Sequence, residues 1–237
     1  MGGRSSGSFL GVAALGVGAA LLGGGLGGWA LLTWRSDRVV HDYIVNHPEV
    51  LPEAMANLRR TQDDQALAGV RGAVETPFPG SVLGNPHGAV TLVEFTDFAC
   101  GYCRHSVADV EALVTRRPDL RVVVRQLPIL SPASADAAKM GLAAAEQGKY
   151  AAFHRAMFEL GHPGPETIAQ AAKTAGLDLA RARRVAAEPA TQAEIDRNLD
   201  FARQLGLAGT PAWIARGHLL SGAVGEERLA RALDAAS

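Results

Sequence analysis

The stretch Val90-Thr91-Leu92-Val93-Glu94-Phe95-Thr96-Asp97-Phe98-Ala99-Cys100-Gly101-Tyr102-Cys103 decides the fold. Val90 to Phe95 is short, apolar and β-branched, which predicts a buried strand. Cys103 to about Arg116 reads as a helix closed by Pro118. Leu120 to Leu127 is a second predicted strand, and its unbroken Val122-Val123-Val124 run suits a sheet covered on both faces. Strand, cysteine pair, helix and strand follow one another within forty residues.

The chain has only these two cysteines, three positions apart. A disulfide-stapled secreted domain would spread several along its length. Cross-linking so short a loop restricts the unfolded chain little, so the spacing points to chemistry. Disulfide exchange needs an attacking thiolate and a resolving thiol within its reach. At a helix start, unpaired backbone N–H groups and the helix dipole favour negative charge on the first cysteine. The second lies about one turn further in. Cys100 is therefore the expected nucleophile and Cys103 the resolving thiol, with Gly101 and Tyr102 between them beside the substrate.

Other chemistries fit the pair less well. A structural zinc site takes four Cys or His ligands. Cys100, Cys103 and His105 supply three. A haem attachment site reads C-x-x-C-H, and Arg104 interrupts that pattern. The competing functional class is a periplasmic copper- or zinc-binding protein using the same cysteines. No metal and no dissociable cofactor is expected.

Glu94 lies on the strand that leads to Cys100, among apolar neighbours. Burial would raise its pKa and let it accept or relay the proton of Cys103. The bland alternative is a strand-end carboxylate in water. Asp97 reads as a polar turn residue and His105 as an exposed position on the helix. Thr210-Pro211 directly precedes a predicted strand, where a trans proline suits pairing poorly. A cis bond would turn the Thr210 backbone toward the cysteines, leaving it free to pair with an extended substrate.

Toward the C-terminus, Ser134 to about Leu205 is rich in Ala, Leu, Glu, Gln and Arg and reads as four or five short helices. Strands follow at Ala212–Ala215 and His218–Ser221, then a helix from about Glu226 to Asp234. Toward the N-terminus, Glu75 to Gly88 holds three prolines and three glycines and reads as turns at the domain entrance. Asp37 to about Gly72 reads as a stem. Within it Val50, Leu51, Ala54, Met55 and Leu58 recur at helical spacing behind Pro48. That stripe either packs on the catalytic domain or associates with a second copy.

Phe9 to Trp34 contains no charged residue and is long enough to cross a bilayer. An uncleaved anchor is favoured over a signal peptide, because the apolar stretch is long and no clean A-x-A site follows. Net charge is −1 and the sequence pI about 6.7, so the basic footprint of nucleic-acid binding is missing. Hydrophobic residues make up 48% and charged residues 20%, which fits a globular core.

Val93-Glu94-Phe95, Phe98, the Cys100–Cys103 pair, Arg125-Gln126-Leu127-Pro128-Ile129 and Gly209-Thr210-Pro211 together resemble the DsbA-like branch of the thioredoxin superfamily. Gln147-Gly148-Lys149-Tyr150 and Phe153-His154 look like its inserted helical domain. The resemblance covers about residues 76–236. It implies a cis bond before Pro211 and a buried acidic role for Glu94. Tyr43 to Leu58, with His47-Pro48-Glu49-Val50, looks like the N-terminal helix of the suppressor-of-copper-sensitivity C branch, whose members can oligomerise and isomerise disulfides. Gly101-Tyr102 departs from the oxidase dipeptide Pro-His and removes a cation beside Cys100.

The expected architecture is α/β. A tail (1–8) precedes a transmembrane anchor (9–34), a helical stem (35–75) and a thioredoxin-like domain (76–237) with a helical insertion at about 131–206. The expected activity is protein thiol–disulfide exchange, as isomerase/reductase or dithiol oxidase. The expected site is Cys100, Cys103 and Glu94, with Thr210, Pro211, Gly101 and Tyr102 contacting substrate. Partners would be protein thiols and disulfides, a membrane redox partner and a possible second copy of the chain, at the periplasmic face of a bacterial inner membrane.

Overall fold

The computed structural model describes residues 39–235. The segment 9–34, read above as an anchor, lies outside them. Among the described residues no helix is long and apolar enough to cross a membrane.

The chain divides into two compact units, the first ending at Leu58 and the second covering Arg59–Ser237. In the first, residues 39–46 form helix α1, and α2 (Val50–Leu67) begins there. Pro48 sits in the turn ahead of α2 rather than inside it, with the Val50 N–H bonded to the His47 carbonyl at 3.1 Å. Pro52 occupies the first turn, where a helix has N–H groups to spare. The stripe residues Leu51, Met55 and Leu58 are about half exposed.

The second unit is built on a mixed five-stranded sheet in the order β1-β3-β2-β4-β5. The strands are β1 (Val82–Gly84), β2 (Val90–Thr96), β3 (Leu120–Gln126), β4 (Ala212–Ala215) and β5 (His218–Ser221). β2 and β3 run parallel, joined through helix α4 (Gly101–Arg116), while the other pairs are antiparallel. Alternation assigns the faces. Leu92, Val122, Val124 and Trp213 pack with α4 and with α10 (Glu226–Asp234). Val93, Phe95, Val123 and Ile214 pack on the other face with Leu67, Val74, Phe201 and Leu205.

Between β3 and β4 lie α5 (Pro132–Glu146), α6 (Tyr150–Leu160), α7 (Pro165–Thr174), α8 (Leu179–Ala186) and α9 (Pro189–Gln204). Ser131 caps α5, its hydroxyl accepting from the Ser134 N–H at 3.1 Å, and Pro132 follows in the first turn. Phe98 is buried among Phe153, Met157 and Phe158 of this helical block, edge-on to Phe153 at 5.8 Å between centroids.

Two features differ from the sequence reading. The Gly- and Pro-rich stretch 75–88 contains edge strand β1, pairing Val82 with Val123. Three residues between glycines are too few to display an alternating pattern. Residues 59–75, assigned to the stem, belong to the second unit: Leu67 and Val74 are fully buried, and α3 (Arg71–Glu75) packs on the sheet. A buried cation fixes α3. Arg125 of β3 donates to the Ala73, Val74 and Thr76 carbonyls, to Glu194 at 2.6 Å and to Asn198 at 3.2 Å, and lies over the Phe201 ring.

Candidate active site

Cys100 is the N-cap residue of α4. Its backbone is extended, and its sulfur accepts the Cys103 N–H at 3.4 Å. An N-cap position directs the free N–H groups of the first turn at the cap atom, here Sγ. The Cys100 N–H in turn bonds the Asp97 carbonyl at 2.9 Å, which bends β2 into the helix. Cys100 is 5% exposed and Cys103 fully buried, and both are free thiols. Both contribute to the apolar cluster of the helical block, so the pair sits where that block meets the sheet domain.

The Thr210–Pro211 peptide bond is cis. The Thr210 carbonyl accepts the Cys100 thiol at 3.2 Å. Tyr102 projects outward at 69% exposure, and nothing crowds the Cβ direction of Gly101. The two central residues thus form the open wall of the site. His105 is exposed on α4. Among the described residues no group of three or more His, Cys, Asp and Glu side chains comes together to hold a metal.

Glu94 lies beneath the cysteines and is 2% exposed. Burial pushes its carboxyl up to about 8, partly offset by the Thr96 hydroxyl. Burial also drives the Cys103 thiol well above the ordinary thiol range, and the Glu94 charge adds to the effect. The Thr96 and Thr210 hydroxyls lie near that sulfur and pull the other way. The result is a buried thiol that ionises reluctantly beside a carboxyl that titrates near neutrality.

Two contributions escaped the sequence reading. The Asp97 carboxylate, 1% exposed, accepts the Ala99 N–H at 2.8 Å and those of Ile129 and Leu130 at 2.9 Å each. It ties the turn before Cys100 to the loop after β3. Ile129 and Leu130 are half exposed there. The second is a polar cluster on the Glu94 face of the sheet, where the Gln126 amide donates to the Tyr150 hydroxyl at 2.7 Å. Neither has a local signal: an Asp before a turn and a Gln ending a strand look ordinary until distant segments meet them.

Comparison with known proteins places this geometry. The DSBA-like thioredoxin domain model matches residues 91–234, and the N-terminal domain model of the copper resistance protein ScsC matches residues 37–65. A thioredoxin-like oxidoreductase from Silicibacter pomeroyi DSS-3 is 41% identical, with a TM-score of 0.62, over 65% of this chain and 89% of that one. The catalytic domain of Proteus mirabilis ScsC is 25% identical, with a TM-score of 0.65, over 72% and 96%. The thiol-disulfide exchange protein alpha-DsbA2 from Wolbachia pipientis is 26% identical, with a TM-score of 0.68, over 75% and 97%. Among curated proteins, the Na(+)/H(+) antiporter NhaA 1 of Salinispora arenicola is 30% identical over 192 residues, which is 76% of this chain but only 29% of that protein. The family match spans more than half of the chain and includes the cis-proline loop, the capped cysteine and the strands that carry them. The chain therefore belongs to the DSBA-like thioredoxin domain family, carries that family's thioredoxin oxidoreductase fold and joins to it an ScsC-type N-terminal segment.

Proposed function

We propose that the protein exchanges thiols and disulfides with protein substrates through Cys100 and Cys103. The observation that carries this reading is the Cys100 sulfur, capping α4 and facing the Thr210 carbonyl. In the reductive direction, the Cys100 thiolate attacks one sulfur of a substrate disulfide. A mixed disulfide forms, and the other substrate sulfur leaves as a thiolate that takes a proton from water. Cys103 then attacks Cys100 Sγ, closing the enzyme disulfide and releasing the second substrate thiolate. Glu94 receives the Cys103 proton as that sulfur becomes nucleophilic. Two electrons pass from enzyme to substrate. The reverse sequence oxidises a substrate dithiol. Isomerisation stops at the mixed disulfide, which another substrate thiolate resolves.

The isomerase and reductase direction is favoured over strong dithiol oxidation. Neither Gly101 nor Tyr102 supplies a cation to stabilise the reduced form. The ScsC-type segment offers a route to assembly, since Val39, Val40, Tyr43, Val45, Leu51, Met55 and Leu58 are all exposed. Two sites facing a shared space hold a misfolded substrate better than one, because the second contact becomes intramolecular. The charge-free segment 9–34 supports anchorage in a bacterial inner membrane, with the catalytic unit in the periplasm and a membrane redox partner nearby.

Insulin reduction tests the activity: Cys100→Ser should abolish it, with metal content unchanged. Loss of bound metal with full turnover would instead support a metal-binding role. The reduction potential tests the direction. A value of about −200 mV or below fits an isomerase or reductase, and one of about −120 mV an oxidase.

A further inference from the structure

Glu94 does not lie alone in the apolar core. It and Thr96 share one face of β2, and the parallel register sets them opposite Val124 and Gln126 of β3. Gln126 is therefore the diagonal neighbour of Glu94, within reach of two long side chains. Tyr150 of α6 closes over both: its phenol bonds the Gln126 amide and the Ser81 hydroxyl and feels the charge of Glu94. Ser81 is itself committed, donating to the Val124 carbonyl at 2.9 Å. All five side chains are 2% exposed or less.

The hydrogen-bond inventory has three unpaired ends, one of them the Thr96 hydroxyl, which has a single hydrogen to give. Gln126 gives its N–H to Tyr150, so its carbonyl oxygen Oε1 points elsewhere and has no partner. Glu94 Oε2 also has no partner. The Thr96 hydrogen can meet only one of these two acceptor oxygens, so both are paired only when the carboxyl carries a hydrogen of its own. Leaving the other unpaired costs its desolvation penalty.

We propose that Gln126, oriented by Tyr150, is the positioning residue that keeps the proton on Glu94, its amide oxygen accepting the hydrogen of the neutral carboxyl. This rests on the reading that Glu94 receives the proton of Cys103. The titratable groups facing Glu94 are Cys103 from α4 and Tyr150 from α6. β3 brings the uncharged Gln126, and β4 sets the apolar Trp213 opposite. His154, one turn beyond Tyr150, stacks near the phenol ring at 5.7 Å, and burial holds it neutral by lowering it to about 4. The neutral-amide acceptor therefore stabilises protonated Glu94 without a compensating charge. When Cys103 needs its proton removed, the fraction of Glu94 already ionised sets the rate, so Gln126 and Tyr150 tune the pH at which the second thiol becomes active.

The test is carboxyl infrared difference spectroscopy on the reduced full-length protein against pH. Glu94→Gln identifies the Glu94 band. Tyr150→Phe keeps the ring but frees the Gln126 amide to turn its N–H toward the carboxylate. Gln126→Met keeps the length but removes the acceptor. Each should lower the Glu94 midpoint by about half to one pH unit, the worth of one hydrogen bond to the neutral form. The midpoint of the pH dependence of mixed-disulfide resolution should move down in parallel. A merely structural role would lower stability and leave both midpoints in place. An unchanged or raised midpoint in either variant overturns the proposal. Absence of any Glu94 titration near neutrality in the unmodified protein would instead overturn the role of Glu94 itself.

Discussion

The Cys100 thiol donates to the Thr210 carbonyl at 3.2 Å, joining positions separated by 110 residues of chain. The contact sets the more accessible of the two cysteine sulfurs against a loop edge that a substrate backbone can approach. Cys103, one turn deeper, has no exposed surface. Early iodoacetamide label on the reduced protein should thus fall on Cys100, as peptide mass spectrometry would read. Cys103→Ser should trap long-lived mixed disulfides with substrate, visible on non-reducing gels. Equal early labelling of both thiols would contradict this assignment.

Burial of Glu94 makes stability depend on pH with a definite sign. Between the ordinary carboxyl value of 4.5 and the folded value of about 8, the folded state holds a proton that the unfolded chain has released. Stability from this group is complete below 4.5 and is lost as pH rises through about 8. At about 1.4 kcal/mol per unit the loss is on the order of 4–5 kcal/mol. Urea unfolding of the reduced protein at several pH values should show this slope. Glu94→Gln should remove it, and parallel curves for the two proteins would refute the burial argument.

Asp97 should matter more than a turn residue ordinarily does. Replacing it with Asn leaves one acceptor oxygen for three backbone donors. A hydrogen bond to a charged group is worth about 1.5–3 kcal/mol, so a loss of about 2–4 kcal/mol is expected. Loosening of the 129–130 loop should also slow insulin reduction while leaving reaction with a small disulfide reagent close to normal. Equal slowing on both substrates would place the effect at the cysteines instead.

The buried Arg125 makes a separate prediction about stability. Arg125→Met leaves the Glu194 carboxylate, 4% exposed, with only the solvent-facing Arg197 at 3.0 Å, and takes a donor from three carbonyls around the end of α3. Breaking one side of a buried pair typically costs about 3–5 kcal/mol. Adding Glu194→Leu should recover part of that loss, measurable as a partial return of Tm. A double variant less stable than the single would show that packing dominates.

The stem makes a prediction about assembly. A chain shortened to begin at Asp37 should oligomerise at micromolar concentration by light scattering, and Leu51→Glu with Leu58→Glu should make it monomeric. The monomer should still reduce insulin but lose activity on a scrambled-disulfide substrate. A monomeric unsubstituted stem would remove the assembly argument and favour the oxidase reading.

Local sequence was enough for the elements whose signal lies in consecutive residues. The apolar run of β2, the valines of β3, the cysteine spacing at the start of α4 and the C-terminal hairpin and helix are all stated by neighbours along the chain. So is the placement of Cys100 at a helix cap, because a C-x-x-C pair after a strand leaves little else for the backbone to do. Tertiary structure alone decided what the polar residues of the site are for. Glu94 became a near-neutral acid only when α4, α6 and β3 removed water from it. Asp97 became a clamp only when the 129–130 loop folded back onto it, and Gln126 found Tyr150 from 24 residues away. Edge strand β1 and helix α3 were hidden for the same reason: three- and five-residue elements are held by partners on β3 rather than by their own periodicity. The physical divide is between backbone propensity, which is local, and desolvation and hydrogen-bond pairing, which exist only once the chain has closed around a side chain.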